Sequence, residues 1–154
     1  MQILREVLPN IRALRDVSPA DFERYEEFLP EPVRRRVRHV VTENERTVEA
    51  AEALRAGDLE RVGRLMALSH RSLRDDYEVS CRELDVLVEV AETIEGVIGA
   101  RMTGGGFGGC TVNLVRHEAL AEFRVAIARE SSKAGQHAPT VYPVETSDGV
   151  KEIT

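Results

Sequence analysis

Five glycines fall in the six positions after Thr103, in the run Thr103-Gly104-Gly105-Gly106-Phe107-Gly108-Gly109. Glycine reaches positive φ without steric penalty and has no side chain to hold a ligand away, so consecutive main-chain N–H groups can converge on an anion such as phosphate. The run is not a Walker A loop, because no Gly-Lys-Ser/Thr follows, nor a dinucleotide fingerprint, because a strand rather than a helix comes next. Reversing a chain takes one or two glycines, and five cost backbone entropy on folding. The alternative to a ligand loop is a merely flexible hairpin. The surplus of glycine implies that something approaches this backbone closely, and Phe107 is expected to pin the loop as an aromatic anchor.

A second group lies in His70–Tyr77. His70, Arg74 and Tyr77 share one helical face, and Arg71 and Asp75 can pair at i, i+4. Adjacent Asp75 and Asp76 would point ~100° apart on a helix, so they do not converge on a metal or a proton. The segment reads as an ion-paired helix end in which Asp76 or Tyr77 supports the glycine loop. Arg101, just before the loop, can either meet phosphate or bridge to a helix carboxylate. His39, His117 and His137 are isolated and read as satisfied or surface histidines. Cys81 and Cys110 have no metal-ligand spacing and cannot build a disulfide framework, so they read as small buried hydrophobes in a reducing compartment.

Several helices and strands must position these groups. Ser18-Pro19-Ala20-Asp21 opens a short helix that includes Phe22 and Phe28 and ends at Pro30. Pro32 starts a longer helix with Val33, Val37, Val40, Val41, Val48, Ala51 and Leu54 inward, closed by Gly57. Asp58 caps a third, with Leu59, Val62, Leu65, Met66, Ser69 and Leu73 on one stripe running to about Tyr77. Ser80 and Glu83 form a capping box for a fourth, with Leu84, Leu87, Val88, Ala91 and Ile94 inward and Gly96 as its stop. Val97–Met102 and Cys110–Val115 read as strands flanking the glycine run. A helix over His117–Ser131 and an edge strand at Thr140–Val144, where Pro143 cannot donate to a ladder, complete the pattern. Leu8–Val17 fits a strand only loosely. The expected fold is α+β, a small antiparallel sheet of three or four strands with helices packed on one face, in one domain spanning residues 1–154.

Composition narrows the function classes. The 154 residues are 42% apolar and 31% charged, with 21 Lys+Arg against 27 Asp+Glu and a net charge of −6. That balance opposes binding to nucleic acid or anionic membrane, and the Arg34-Arg35-Arg36 run is interspersed with acids. No stretch approaches the ~18 apolar residues of a membrane span, and Arg5 and Glu6 interrupt any signal-peptide core. The expected location is the cytoplasm.

Gly99-Ala100-Arg101-Met102-Thr103-Gly104-Gly105-Gly106-Phe107-Gly108-Gly109-Cys110 resembles the third signature of the GHMP kinase superfamily, in its galactokinase form. The resemblance extends to Ser69–Cys81, to Glu83-Leu84-Asp85, to Ala13–Val17 and to Arg38–Asn44, and loosens after about Val115. It implies the C-terminal, ferredoxin-like lobe of a two-lobed enzyme that moves a phosphoryl group from ATP, with Mg²⁺, to the anomeric hydroxyl of galactose. The family's first signature and its Gly-Leu-Ser-Ser-Ser phosphate signature are absent, and with them the catalytic aspartate and most sugar and nucleotide contacts, which belong to the N-terminal lobe. The resemblance therefore implies no catalytic or metal-binding residue in this chain. The expectation is that Thr103 to Gly109 closes one wall of the inter-lobe site, with Arg101, Asp76 and Tyr77 as candidates for its support. Met1 stands where a domain fragment or truncated reading frame would begin, and the isolated chain is expected to fold without turning over galactose. Valine at Gly105 or Gly106 is expected to spare the fold. Arg82 replaces the family's usual proline, with little effect expected because Ser80 can cap that helix. The competing reading is a non-catalytic metabolite-binding or regulatory module derived from such a kinase.

Overall fold

The structure, a computed structural model, describes residues 1–133 and 139–146. It opens with a short helix α1 (Gln2–Val7). An irregular stretch follows, closed by a 3₁₀ turn at Leu14–Asp16. The Asp16 carboxylate accepts the N–H groups of Arg12 at 2.7 Å and Ala13 at 2.9 Å, bonds that lower its pKa. The ambiguous segment Leu8–Val17 is thus a folded connection rather than a strand, and it buries Ile11 and Val17.

Helix α2 (Pro19–Tyr25) begins as its sequence predicts. The Ser18 hydroxyl accepts the Asp21 N–H at 3.1 Å, and Pro19 fills the first helical position, where no N–H is needed. A 3₁₀ turn at Glu26–Phe28 ends this region, leaving Phe28 exposed. Helix α3 (Val33–Ala56) runs for 24 residues and stops at Gly57, whose φ of 72° lets its N–H reach back to the carbonyls of Ala53 and Leu54. Val37, Val41 and Ala53 are buried, but Val48 and Leu54 are exposed, against the expected stripe. Both lie off the face that meets α4, which carries His39, Glu43 and Glu49 against Ser72, Ser69 and Arg61.

Helix α4 (Leu59–Asp75) starts on the Asp58 carboxylate, which accepts the Arg61 N–H at 2.9 Å. Val62, Leu65, Ser69 and Leu73 are buried as expected, together with His70 and Ser72. Helix α5 (Arg82–Glu92) departs from expectation at its start. Cys81 is the N-cap residue, with no side-chain bond, and the Ser80 hydroxyl instead donates to Asp85 Oδ1 at 2.6 Å, so the Ser80/Glu83 capping box does not form.

Strands β1 (Val97–Thr103) and β2 (Cys110–Val115) pair antiparallel from Val97↔Val115 to Thr103↔Cys110, with an irregularity between Val97 and Gly99. A 3₁₀ turn at His117–Ala119 leads into α6 (Leu120–Lys133). Ala100 packs with Val88, Ala91, Phe123 and Ile127 of α5 and α6, and Met102 packs with Leu73 and Leu84. The fold is therefore α+β with helices packed on a small antiparallel sheet. The expected strand at Thr140–Val144 does not form, and among the described residues the sheet has two strands. Val141 still packs against the α5–α6 cluster, while Tyr142 and Val144 are exposed and Pro143 has no N–H to offer a ladder.

Glycine also sets how closely α4 and β1 approach. A Cβ on Gly63 would overlap the carbonyl oxygen of Ile98, and one on Gly99 would lie 2.7 Å from the Gly63 Cα. Helix and strand backbones meet there without side chains between them.

Candidate functional site: the glycine hairpin

The tip joining β1 to β2 holds an unusual run of left-handed backbone. Gly104, Gly106, Gly108 and Gly109 have φ of 86°, 82°, 132° and 102°, and Phe107 has 59°. A Cβ added at Gly104, Gly105, Gly108 or Gly109 would meet nothing within 4 Å. Their lack of side chains leaves open backbone at the surface, as a loop that presents main chain to a ligand requires.

Gly106 is different. A Cβ there would collide with the carbonyl oxygen of Val79, and the next residue, Phe107, donates its N–H to that same oxygen at 2.7 Å. Valine at Gly106 would therefore break the loop's attachment, so the expectation that either glycine could be replaced without structural cost holds for Gly105 only. The Phe107 ring does not anchor the loop. It is 77% exposed, and the anchor is its backbone N–H. The ring borders a groove of about 470 Å³ together with Leu14, Arg36, Val40, Tyr77 and Val79.

Val79 follows the end of α4, where Asp76 and Tyr77 make their contacts with α3 and α4. Asp76 Oδ2 accepts the Ser72 hydroxyl at 2.9 Å, and its Oδ1 lies 3.5 Å from an Arg38 nitrogen. Because the Ser72 proton goes to Asp76, the His39 Nδ1, 3.0 Å away, donates to Ser72 Oγ. The His39 ring stacks on Tyr77 at 4.5 Å between centroids. Asp75 pairs with its neighbour Arg74 at 2.8 Å rather than with Arg71, so the two acids act separately.

Arg101 bridges to a helix carboxylate, its other reading having been phosphate. Its Nη1 lies 3.2 Å from Glu43 Oε1, in a cluster that includes Arg46 and the Ser69 hydroxyl. Burial alone would raise the Glu43 pKa, but the Ser69 hydroxyl and the Arg46 and Arg101 guanidiniums together hold it below the usual carboxylate value. His70 is buried. Its Nδ1 accepts the Met102 N–H at 3.3 Å, and its Nε2 lies 3.3 Å from Asp85 Oδ1 without the alignment of a hydrogen bond. Neither cysteine is fully buried as expected, since Cys81 is half-buried and Cys110 is exposed beside the loop. His117 is exposed, and His137 lies outside the described residues.

Burial lowers the pKa of both His39 and His70, with Glu43 and Asp76 opposing it at His39 and Asp85 at His70. A histidine pKa depressed by folding costs nothing above its ordinary value of 6.5, where the ring is neutral folded or unfolded. Below that value the unfolded rings take up protons first, so stability is lost as pH falls toward the lowered folded values. Urea midpoints should decline from pH 6.5 to about 5, a window in which most carboxylates stay ionised, and replacing both histidines with glutamine should flatten that slope. An unchanged slope would contradict the buried-neutral assignment.

Sequence reasoning missed the Val79 carbonyl, the His39–Ser72–Asp76 chain and Gly63. Only Gly63 left a signal: an isolated glycine within an apolar helical stripe costs about 1 kcal/mol relative to alanine and calls for a packing reason.

Among the described residues no cluster of three His, Cys, Asp or Glu could hold a metal ion, and no helix is long and apolar enough to cross a membrane. Residues 50–133 match the family described as GHMP kinases C terminal. The chain belongs to that family, and the matched stretch includes the hairpin described above. Its relatives include the galactokinase of Roseiflexus sp. (strain RS-1), 46% identical over 153 residues, covering 99% of this chain and 39% of that protein. The galactokinase of Chloroflexus aggregans is 54% identical over 127 residues, covering 82% of this chain and 33% of that protein. Among solved structures, Lactococcus lactis galactokinase complexed with galactose superposes with a TM-score of 0.82 at 40% identity, covering 88% of this chain and 36% of that one. The chain thus spans little more than a third of the length of these relatives.

Proposed function

We propose that this chain is the C-terminal lobe of an ATP-dependent galactose kinase, and that Thr103–Gly109 forms one wall of a site completed by an N-terminal lobe. The observation that carries the proposal is the open backbone at Gly104, Gly105, Gly108 and Gly109, three of them left-handed, in a loop tied down by the Phe107 N–H bond to the Val79 carbonyl. The galactokinase relatives and the galactose-bound structure support the choice of substrate. Phosphoryl transfer demands positioning and neutralisation of charge around the transferring group more than covalent chemistry by the protein. Preformed main-chain N–H donors suit that task because they need not reorganise during the reaction.

The open glycine backbone fits an anionic phosphate, whereas the donor set among the described residues does not fit a metal. No step through Mg²⁺ is therefore assigned to this chain. In the proposed enzyme Mg²⁺ would accompany ATP against the other lobe, which would also supply the catalytic aspartate. The proposal includes a cytoplasmic location. No observation favours the non-catalytic module.

The test is a coupled ADP-release assay on two proteins: the 154-residue chain alone, and a chimera in which it replaces its matching stretch of the Roseiflexus galactokinase. The chain alone should be inactive, and the chimera should release ADP in proportion to galactose. A folded chimera without galactose-dependent turnover would overturn the reading.

A further inference from the structure

Glu78 and Phe107 are the two non-glycine residues with positive φ among those described, at 56° and 59°; Phe107 donates its N–H to the Val79 carbonyl, and Glu78 immediately precedes Val79. Side-chain residues held in the left-handed region persist only where their surroundings over-determine them. The turn at Glu78 is closed by the Val79 N–H donating to the Leu73 carbonyl at 3.0 Å, and its side chain is held by arginines of α3. One carboxylate oxygen pairs with Arg35 and the other with Arg36. The same two guanidiniums donate to the last carbonyls of α4, Arg35 to Asp75 at 3.2 Å and Arg36 to Asp76. Positive charge there also complements the negative end of the helix. The arginine run that composition treats as surface charge therefore ties the α4–α5 connection to α3 on the N-terminal side of Val79.

We propose that Glu78, clamped by Arg35 and Arg36, is a positioning residue: it fixes the Val79 carbonyl, and through the Phe107 N–H it fixes the open glycine backbone of the hairpin. Its role in catalysis rests on the functional reading above, whereas the clamp itself does not. Glu78 touches no reacting group in this account. It acts through Val79, and it links α3, the end of α4 and the loop. The pairs are partly exposed, so each contributes modestly and is weakened by salt.

Amide hydrogen exchange on the 154-residue chain reads the clamp directly. Glu78→Gln keeps the side-chain stem and removes the charge, while Glu78→Gly removes the carboxylate and also relieves the backbone conformation, which guards against simple misfolding. Both should speed exchange at Phe107 by about three- to tenfold, leaving the β1–β2 ladder amides unchanged. Salt at about 1 M, where the Debye length falls to ~3 Å, should speed Phe107 exchange in the wild type but not in Glu78→Gln. Unchanged protection at Phe107, or equal acceleration in loop and ladder, would overturn the clamp. In the chimera, Glu78→Gly should lower kcat while leaving the galactose KM in place. Faster Phe107 exchange with an unchanged kcat would overturn the positioning role and leave the clamp as a structural feature.

Discussion

Alanine at Gly63 should lower the melting temperature of this chain by about 6–12 °C, the equivalent of about 3 kcal/mol in a domain of this size. Helix propensity alone points the other way, because alanine in a helix interior is about 1 kcal/mol better than glycine. Packing reverses the sign. The new Cβ would occupy the position of the Ile98 carbonyl oxygen, and both colliding groups sit on backbone that no rotamer change can move. Either α4 shifts away from β1, opening the contacts of Leu73 with Met102, or the strand distorts where its ladder is already irregular. Alanine at Gly57 is the control. It has φ of 72° with nothing within 4 Å of its Cβ, so it should cost only about 1 kcal/mol of left-handed strain. Calorimetry of both variants checks the account, and a melting point unchanged or raised in Gly63→Ala would mean that the helix and strand backbones are farther apart than described.

The second large effect concerns activity. Gly106→Ala combines two penalties at one position: a side chain at φ 82°, and a Cβ directed into the Val79 carbonyl. The Phe107 N–H bond must then lengthen or break, and the whole tip moves with it. Displacements of about 1 Å at a reacting centre cost on the order of 10²-fold in rate. Turnover of the chimera should fall by about that factor, with a smaller loss of stability because the tip carries few buried contacts. Wild-type turnover in Gly106→Ala would show that the Val79 attachment has no part in the reaction.

Much of the architecture was legible because local rules decided it. Ser18, Asp58 and Gly57 each act through a bond within a few residues of themselves, and the structure keeps all three. The glycine hairpin was legible for the same reason. Where the reading failed, a distant partner decided the outcome. Ser80 could cap α5, but Asp85 competes for its hydroxyl and is itself beside buried His70. Val48 and Leu54 obey helical periodicity, yet periodicity does not say which face of a long helix its neighbour covers. Thr140–Val144 reads as an edge strand, but Tyr142 and Val144 stay exposed and no ladder among the described residues receives them. Phe107 looked like an anchor because aromatic rings usually bury themselves. In this loop the ring is free, and the peptide behind it is held by a carbonyl 28 positions away in sequence.

Gly105 offers the most direct test of the central claim, that open hairpin backbone faces a phosphorylated substrate. Its φ lies outside the left-handed range, and a Cβ there meets nothing within 4 Å, so valine should leave the melting point and the Phe107 exchange rate unchanged. Galactose-dependent ADP release by the chimera carrying Gly105→Val should nevertheless fall more than about tenfold, because the new side chain would stand where substrate must come close to main chain. Turnover equal to that of the unsubstituted chimera would mean that nothing approaches this backbone.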